Sequence, residues 1–282
     1  MSMRNKIILF IFFSLLIFTN QAISQDLTLI SEDESVLQHY FSSIILERDD
    51  IVKEELNTKI LNEFREILKN EGSFSNDFDS LRHIGIVYSP DERLRIITWN
   101  LPYNDGTHKY FGFIQYKKSK KKLLTFELND QSDKIKKPES SILNNTNWYG
   151  ALYYKIIENK YKGETYYTLL GADLNDMFTH KKIIEILHFE KDDIPIFGKA
   201  VFKNQKSTIT RVIFEFRSQS TMVVTYDEDM QMIVYDHLSP SRPSLQGRFE
   251  FYGPDFSYDG FKFERGIWNN YQEIDVRNYN LN

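Results

Sequence analysis

The sequence predicts a mainly β protein, in which two short amphipathic helices precede an antiparallel meander of about a dozen strands. Aromatic residues make up 15% of the chain, and such residues favour strands. Short apolar runs alternate with turn residues from residue 81 onward, whereas residues 31–70 have helical spacing. The strands close as a barrel or stack as a sandwich; a propeller is less favoured because no blade-length repeat matches.

The first 24 residues are typical of a signal peptide. Arg4 and Lys6 precede an apolar run, Ile7–Phe18, and the small-x-small pattern Ala22–Ser24 follows. The run is too short to span a bilayer, so we expect cleavage after Ser24, with an uncleaved anchor as the alternative. The chain contains no cysteine, which excludes disulfides and a lipoprotein anchor. We therefore expect an exported protein, periplasmic or extracellular, with no stable membrane span after cleavage.

Residues 25–80 form the predicted N-terminal helical segment. Ser31 and Glu34 match a capping box, and apolar residues then recur at helical spacing. The acidic pair at 49–50 opens a second helical pattern, and Gly72 is its expected stop. We expect the helices to cover a face or an end of the sheet; a helical arm that binds a partner is the alternative.

Residues 81–282 form the predicted antiparallel β domain, which turn residues divide into hairpins. Five lysines in Lys117–Lys122 indicate a solvated hairpin tip, and Lys162-Gly163 indicates a tight turn. The run Lys181–Phe189 fits a short helix or a strand, and the neighbouring hairpins favour a strand.

The stretch Phe249–Trp268 holds two aromatic-rich strand patterns on either side of a predicted loop. The loop carries Gly253-Pro254 and Asp259-Gly260, which are strong turn pairs because glycine allows positive φ and proline fixes φ. Asp255 and Asp259 lie there among aromatic residues. A glycosidase needs such a carboxylate pair beside rings, but the same residues serve turns equally well.

Two groups of residues are predicted to contact a ligand, and none is predicted to be catalytic. His237 follows Asp236 and precedes a turn, so it could serve as a general base; a hydrogen-bonded turn histidine is the alternative. The first group comprises Asp236, His237, Tyr252, Asp255, Tyr258 and Asp259, and the second comprises Trp99, Asn100, Tyr103 and Asp105.

No metal ion or other cofactor is predicted. The 6 histidines include no His-x-x-x-His pair. Asp173, Asn175 and Asp176 offer oxygen ligands that suit Ca²⁺, but they lack the alternating order and the distal glutamate of a calcium loop. An Asx-turn explains them more simply. Phosphate loops, dinucleotide glycine patterns and Gly-x-Ser-x-Gly elbows do not occur in the sequence.

Four segments are distinctive enough to compare with a known family: Trp148–Tyr154, Tyr235–Pro240, Phe251–Asp259 and Asp275–Asn278. They resemble a family of exported proteins of Bacteroidota that has no assigned activity. The resemblance covers most of the chain from about Leu81, and the segment at 251–259 is its most specific part. Ala172 and Leu174 stand where related chains are expected to carry Trp and Gly. The resemblance implies export and a β fold, and it transfers no catalytic residue.

The leading functional hypothesis is a non-catalytic exported β protein that binds a ligand or partner in the cell envelope, either a glycan or an envelope protein. One alternative is a carboxylate-dependent hydrolase that acts on glycans, and another is a structural or assembly protein. The formal net charge of −5 argues against nucleic acid as a partner, because nucleic acid favours basic surfaces.

Overall fold

A computed structural model describes residues 34–120, 122–190, 192–203 and 207–276, which divide between His83 and Ile84 into two compact units. The predicted signal peptide and Ser31 of the predicted capping box lie outside the described residues.

The first unit contains two helices, as the spacing predicts. Helix α1 spans residues 34–46, and helix α2 spans Asp50–Ile67. Asp49 caps α2, because its Oδ1 accepts a hydrogen bond from the Ile51 N–H at 2.8 Å. The buried apolar residues of α2 are Ile60, Phe64 and Ile67.

Two details of this unit differ from the expectation. Gly72 does not stop α2, which ends at Ile67; Gly72 lies in a separate 3₁₀ helix, Glu71–Ser75. The Oε1 atom of Glu34 accepts a hydrogen bond from the Ser80 N–H at 2.8 Å. Glu34, which the sequence predicts to cap a helix locally, thus contacts a residue that is distant in sequence.

The second unit contains the described strands, which form three sheets. The first sheet consists of β1 (Gly85–Tyr88), β2 (Leu94–Pro102), β3 (His108–Ser119) and β4 (Lys122–Asn129), in that order. The second consists of β5 (Leu143–Asn144), β9 (Pro195–Phe197), β8 (Thr179–Phe189), β7 (Glu164–Asp173) and β6 (Leu152–Tyr161), and β12 (Arg211–Arg217) also pairs with β8. The third consists of β11 (Thr208–Ile209), β10 (Phe202–Lys203), β16 (Ile267–Tyr271), β15 (Tyr252–Glu264), β14 (Met232–Pro240) and β13 (Val224–Asp227).

The strand pairing confirms the predicted fold class. Among the described strands, the pairing of β10 with β16 is parallel and the other ladders are antiparallel. Short 3₁₀ helices interrupt the connections at Ser132–Lys134, Pro138–Ser140, Pro243–Leu245 and Phe249–Phe251. Two helices followed by a mainly antiparallel β unit are therefore the architecture of this chain.

The second sheet is buried on both faces, which makes the β unit a stack of sheets. Ile183 and Leu187 of β8 pack in one apolar cluster with residues of the first sheet. Ile184 and Ile186 pack in another cluster with residues of the third sheet. A strand covered on both sides reads as a continuous apolar run, which explains why the sequence of β8 also fits a helix. The preference for a strand there is confirmed.

The predicted hairpin at Lys162-Gly163 is confirmed. Both residues have positive φ, and Tyr161 pairs with Glu164 across the two-residue turn.

The predicted order of strand, loop and strand within residues 249–268 is wrong. Residues Phe249–Phe251 form a 3₁₀ helix, and β15 runs without interruption through the predicted loop. Gly260 serves close packing there, because a Cβ at this position would lie 2.8 Å from the Met232 Cε. The turn lies at Arg265-Gly266, where both residues have positive φ.

Candidate functional site

A bulge interrupts the pairing of β14 with β15. Asp236 pairs with Tyr258, but Leu238 pairs with Pro254, so three residues of β15 lie opposite the single residue His237. We call these three residues, Asp255–Ser257, the β15 bulge. Extra residues in one strand re-aim side chains, and such bulges concentrate near functional sites.

Phe256 at the centre of the β15 bulge is strained and exposed. Its φ is +70°, in the left-handed region, and its side chain is 94% exposed. Asp255 holds this conformation, since its Oδ1 accepts hydrogen bonds from the Ser257 Oγ at 2.7 Å and the Ser257 N–H at 3.2 Å. An aromatic ring is thereby presented to solvent from a fixed backbone.

His237 lies between two carboxylates. Its Nδ1 is 2.8 Å from the Oδ2 of Asp259, and its Nε2 is 3.9 Å from the Oδ2 of Asp255. The Asp259 side chain is buried, whereas that of His237 is 41% exposed. The imidazole is therefore anchored on its inner nitrogen, and its outer edge remains accessible.

The surroundings raise the pKa of His237 and lower the pKa of Asp255. The hydrogen bond to Asp259 raises the pKa of His237 against the effect of burial, and the carboxylates of Asp255 and Glu273 add to the rise. Burial alone would raise the pKa of Asp255, but hydrogen bonds from Ser257 and the nearby His237 outweigh it and lower that pKa. The site thus favours an imidazolium beside an ionised Asp255.

The remaining members of the first predicted group lie beside this cluster and have structural partners. The Oδ2 of Asp236 accepts a hydrogen bond from the Val223 N–H at 2.7 Å, so this carboxylate fixes the start of β13. The hydroxyl of Tyr252 accepts a hydrogen bond from the Gly247 N–H at 2.9 Å. Tyr258 pairs with Asp236 and is 36% exposed. The structure therefore brings His237, Asp255 and Asp259 together.

The members of the second predicted group have structural roles. Trp99 is 1% exposed and stacks on Phe111 and Phe113, so it is part of the core. The Asn100 Nδ2 is 2.9 Å from the His108 Nδ1, a contact between neighbouring strands.

Tyr103 and Asp105 of the second group belong to the tight turn between β2 and β3. The Gly106 N–H donates to the carbonyl of Tyr103 at 3.0 Å. Asp105 accepts hydrogen bonds from the Thr107 Oγ1 and N–H, and these bonds lower its pKa. Turn chemistry accounts for these residues.

The aspartates that could offer oxygen ligands to Ca²⁺ accept hydrogen bonds from other residues of the protein. Asp173 accepts from the Tyr110 hydroxyl at 2.8 Å and from the Asn175 N–H at 2.7 Å. Asp176 accepts from the Phe178 N–H at 2.7 Å. The described residues contain no group of three or more His, Asp or Glu side chains that could hold a metal ion.

Sequence reasoning missed one member of the His237 cluster, Glu273. The Glu273 N–H donates to the Oδ1 of Asp259 at 2.9 Å, and its carboxylate favours protonation of His237. Glu273 follows β16 and lies 36 residues after His237 in the numbering, so no local pattern links the two. The return of the chain along β16, antiparallel to β15, brings Glu273 back to Asp259 and so to His237.

A groove of about 580 Å³ lies elsewhere in the second unit, between the start of β7 and the loop after β8. Lys199 pairs with Glu164 at 3.0 Å on its rim, and its Nζ lies 5.1 Å from the centre of the Tyr166 ring. Burial lowers the pKa of His188 in its wall, and the charge of Lys199 adds to this effect. These residues lie outside the two groups that the sequence predicts to contact a ligand.

The β unit is thus a stack of mainly antiparallel sheets, and His237, Asp255 and Asp259 form a polar cluster on the pair of β14 and β15. Comparisons with protein-family models, with curated proteins and with solved structures find no match for this chain. Within the described residues, no helix is both long enough and apolar enough to cross a membrane.

Proposed function

We propose that this chain is an exported cell-envelope protein that binds a glycan at the β15 bulge and does not catalyse a reaction. The observation that carries the proposal is Phe256, an aromatic residue at φ +70° whose ring is 94% exposed. The signal-like segment at 1–24 supports the location.

The conformation of Phe256 argues for a ligand because it is costly for the fold. A residue with a β-carbon in the left-handed region costs roughly 1–2 kcal/mol relative to ordinary conformations. The exposed ring recovers none of that free energy by burial. Strain of this kind concentrates at functional sites, where a partner makes use of the strained group.

The polar groups beside Phe256 suit a hydroxyl-rich ligand. Asp255 offers carboxylate oxygens as acceptors, and the outer nitrogen of His237 offers a donor when the ring is protonated. A flat ring next to such groups can stack on the apolar face of a sugar while the polar groups bind its hydroxyls. The combination supports a glycan over a purely apolar ligand.

The same geometry gives less support to a hydrolase. Glycoside hydrolysis uses one carboxylic acid with a raised pKa to protonate the leaving group. The pKa of Asp255 is lowered, and Asp255 is engaged with Ser257 in the bulge. Binding without chemistry is therefore the function that these groups support best.

Glycan-array binding and thermal-shift screening, with and without Ca²⁺, test the proposal. We expect a glycan that raises the melting temperature of the wild-type protein and loses at least tenfold in affinity for Phe256→Ala. Ile142→Ala is the control, since Ile142 is also a strongly exposed apolar residue (65%) but precedes β5 in another sheet. If no glycan stabilises the protein, or if both variants weaken binding equally, the glycan proposal is rejected.

A further inference from the structure

The segment that follows β16, residues 272–276, is attached to the same carboxylate that anchors His237. The Oδ2 of Asp259 bonds the His237 Nδ1 at 2.8 Å, and its Oδ1 accepts from the Glu273 N–H at 2.9 Å. Because Asp259 is 5% exposed, water competes poorly for either bond. One buried side chain thus connects the surface site with the end of the described chain.

A backbone hydrogen bond and an apolar contact also attach this segment. The Ile274 N–H donates to the carbonyl of Tyr258 at 2.8 Å, which continues the edge of β15 beyond the last residue pair of β16. Ile274 and Val276 pack on a small apolar cluster formed by Met230, Met232 and Val234. Glu273 itself has a φ of +52°, an unfavourable conformation for a residue with a side chain. Residues 272, 273 and 275 are exposed, and segments with a solvent-exposed backbone open locally at low free energy.

We propose that residues 272–276 are a docked latch on the glycan site, and that Asp259 couples the occupancy of His237 to the attachment of this latch. The inference rests on the proposed function for its ligand, but the coupling itself is a property of the free protein. A ligand that draws the imidazole away from Asp259 changes the charge distribution on the carboxylate that accepts the Glu273 N–H. By thermodynamic reciprocity, a loosened latch must change ligand affinity by the same factor.

Glu273 gives the latch a second connection to the site. Its carboxylate lies close enough to His237 to favour the imidazolium form. Docking of the latch therefore completes the ring of acidic groups around His237, together with Asp255 and Asp259. Detachment would leave the imidazole with the two carboxylates of Asp255 and Asp259.

Amide hydrogen exchange of the full-length protein without ligand tests the coupling. We expect His237→Ala to accelerate exchange of the Glu273 and Ile274 amides at least threefold, because His237 and the Glu273 N–H bind the same carboxylate, that of Asp259. Asp236→Asn is the matched control, since this carboxylate precedes His237 but binds the Val223 N–H. Unchanged exchange in His237→Ala, or equal acceleration in the control, overturns the proposal.

A second measurement separates the latch from the ligand. Ile274→Ser removes an apolar anchor of the latch and leaves Phe256, Asp255 and His237 intact. If a glycan binds and accelerates exchange of the Glu273 amide, we expect this variant to bind the glycan more tightly, and if the glycan slows that exchange, we expect weaker binding. An unchanged affinity, or a change in the opposite direction, contradicts the coupling. If no glycan binds, the proposed function fails while the exchange experiment still decides the latch.

Discussion

Two cation–carboxylate pairs of nearly equal length stand in opposite environments in the β unit. The Arg211 Nε is 2.7 Å from the Glu185 Oε2, and the His237 Nδ1 is 2.8 Å from the Asp259 Oδ2. Both side chains of the first pair are 0% exposed, whereas His237 is 41% exposed. The same chemistry is therefore sealed inside the sheets in one place and left at the surface in the other.

The buried pair of Arg211 and Glu185 holds two strands of the second sheet together. Arg211 and Glu185 are direct cross-strand partners of β12 and β8, so the pair fixes the register of these strands. Tyr153 donates its hydroxyl to Glu185, and Arg211 donates to the carbonyl of Pro138. The Tyr149 ring lies 5.5 Å from the Arg211 guanidinium. Burial keeps both side chains of this pair from a ligand, whereas His237 is 41% exposed.

The largest expected effect comes from breaking the buried pair. We expect Arg211→Met to lower the free energy of unfolding by about 3–5 kcal/mol, because Glu185 then remains buried without its cation. His237→Ala should cost less, because the removal of a side chain that is 41% exposed lets water reach Asp259, which also keeps its hydrogen bond from the Glu273 N–H. Urea unfolding of both variants measures the difference. Equal losses would contradict the assignment of one pair to the fold and the other to the site.

The second prediction concerns the strain beside the exposed pair. We expect Phe256→Gly to raise the free energy of unfolding by about 1 kcal/mol, since glycine adopts φ +70° without steric cost. Phe256→Ala keeps a β-carbon and should gain little, so the difference between the two variants isolates the backbone strain. A loss of stability in Phe256→Gly would show that the ring makes contacts that outweigh the strain. Thermal unfolding in the absence of ligand provides the measurement.

The smallest expected effect is a pH dependence of the folding stability that comes from the pair of His237 and Asp259. The folded-state pKa of His237 is raised above its ordinary value of 6.5, so the folded state holds the proton more tightly than the unfolded chain. The stabilisation is complete below pH 6.5 and is lost as the pH rises through the raised pKa. Its size should stay under about 1 kcal/mol, because the imidazole is 41% exposed and water screens its charge.

Urea unfolding of the wild type and His237→Ala between pH 5.5 and 9 checks this sign. The stability difference between the two proteins should shrink toward high pH. A difference that grows with pH would mean that the neutral imidazole is the form preferred by the fold.

The sequence predicts those helices, strands and turns that depend on local patterns alone. The acidic pair at 49–50 marks the start of α2, and Lys162-Gly163 supplies the positive φ values of a tight hairpin. Alternating aromatic residues identify strands throughout the β unit. These signals are local because helix caps and two-residue turns are set by neighbouring residues alone.

The site is less readable because its decisive features depend on distant strands. Gly253-Pro254 and Asp259-Gly260 have the composition of turns, yet they lie inside β15. There Gly260 permits close packing against β14, and the turn forms only at residue 265. The sequence places His237, Asp255 and Asp259 among the candidate ligand contacts, but the strain at Phe256 and the contact with Glu273 arise from the pairing register, which sequence spacing does not reveal.

The parallel pairing of β16 with β10 has a consequence for the order in which the chain can fold. β16 (Ile267–Tyr271) lies inside the third sheet, between β10 and β15, although five strands separate it from β10 in the sequence. During synthesis, the edges of β10 and β15 that pair with β16 would stay open until residues 267–271 emerge. β16 is therefore the strand that joins β11 and β10 to β15, β14 and β13, and this sheet cannot be completed before β16 is made.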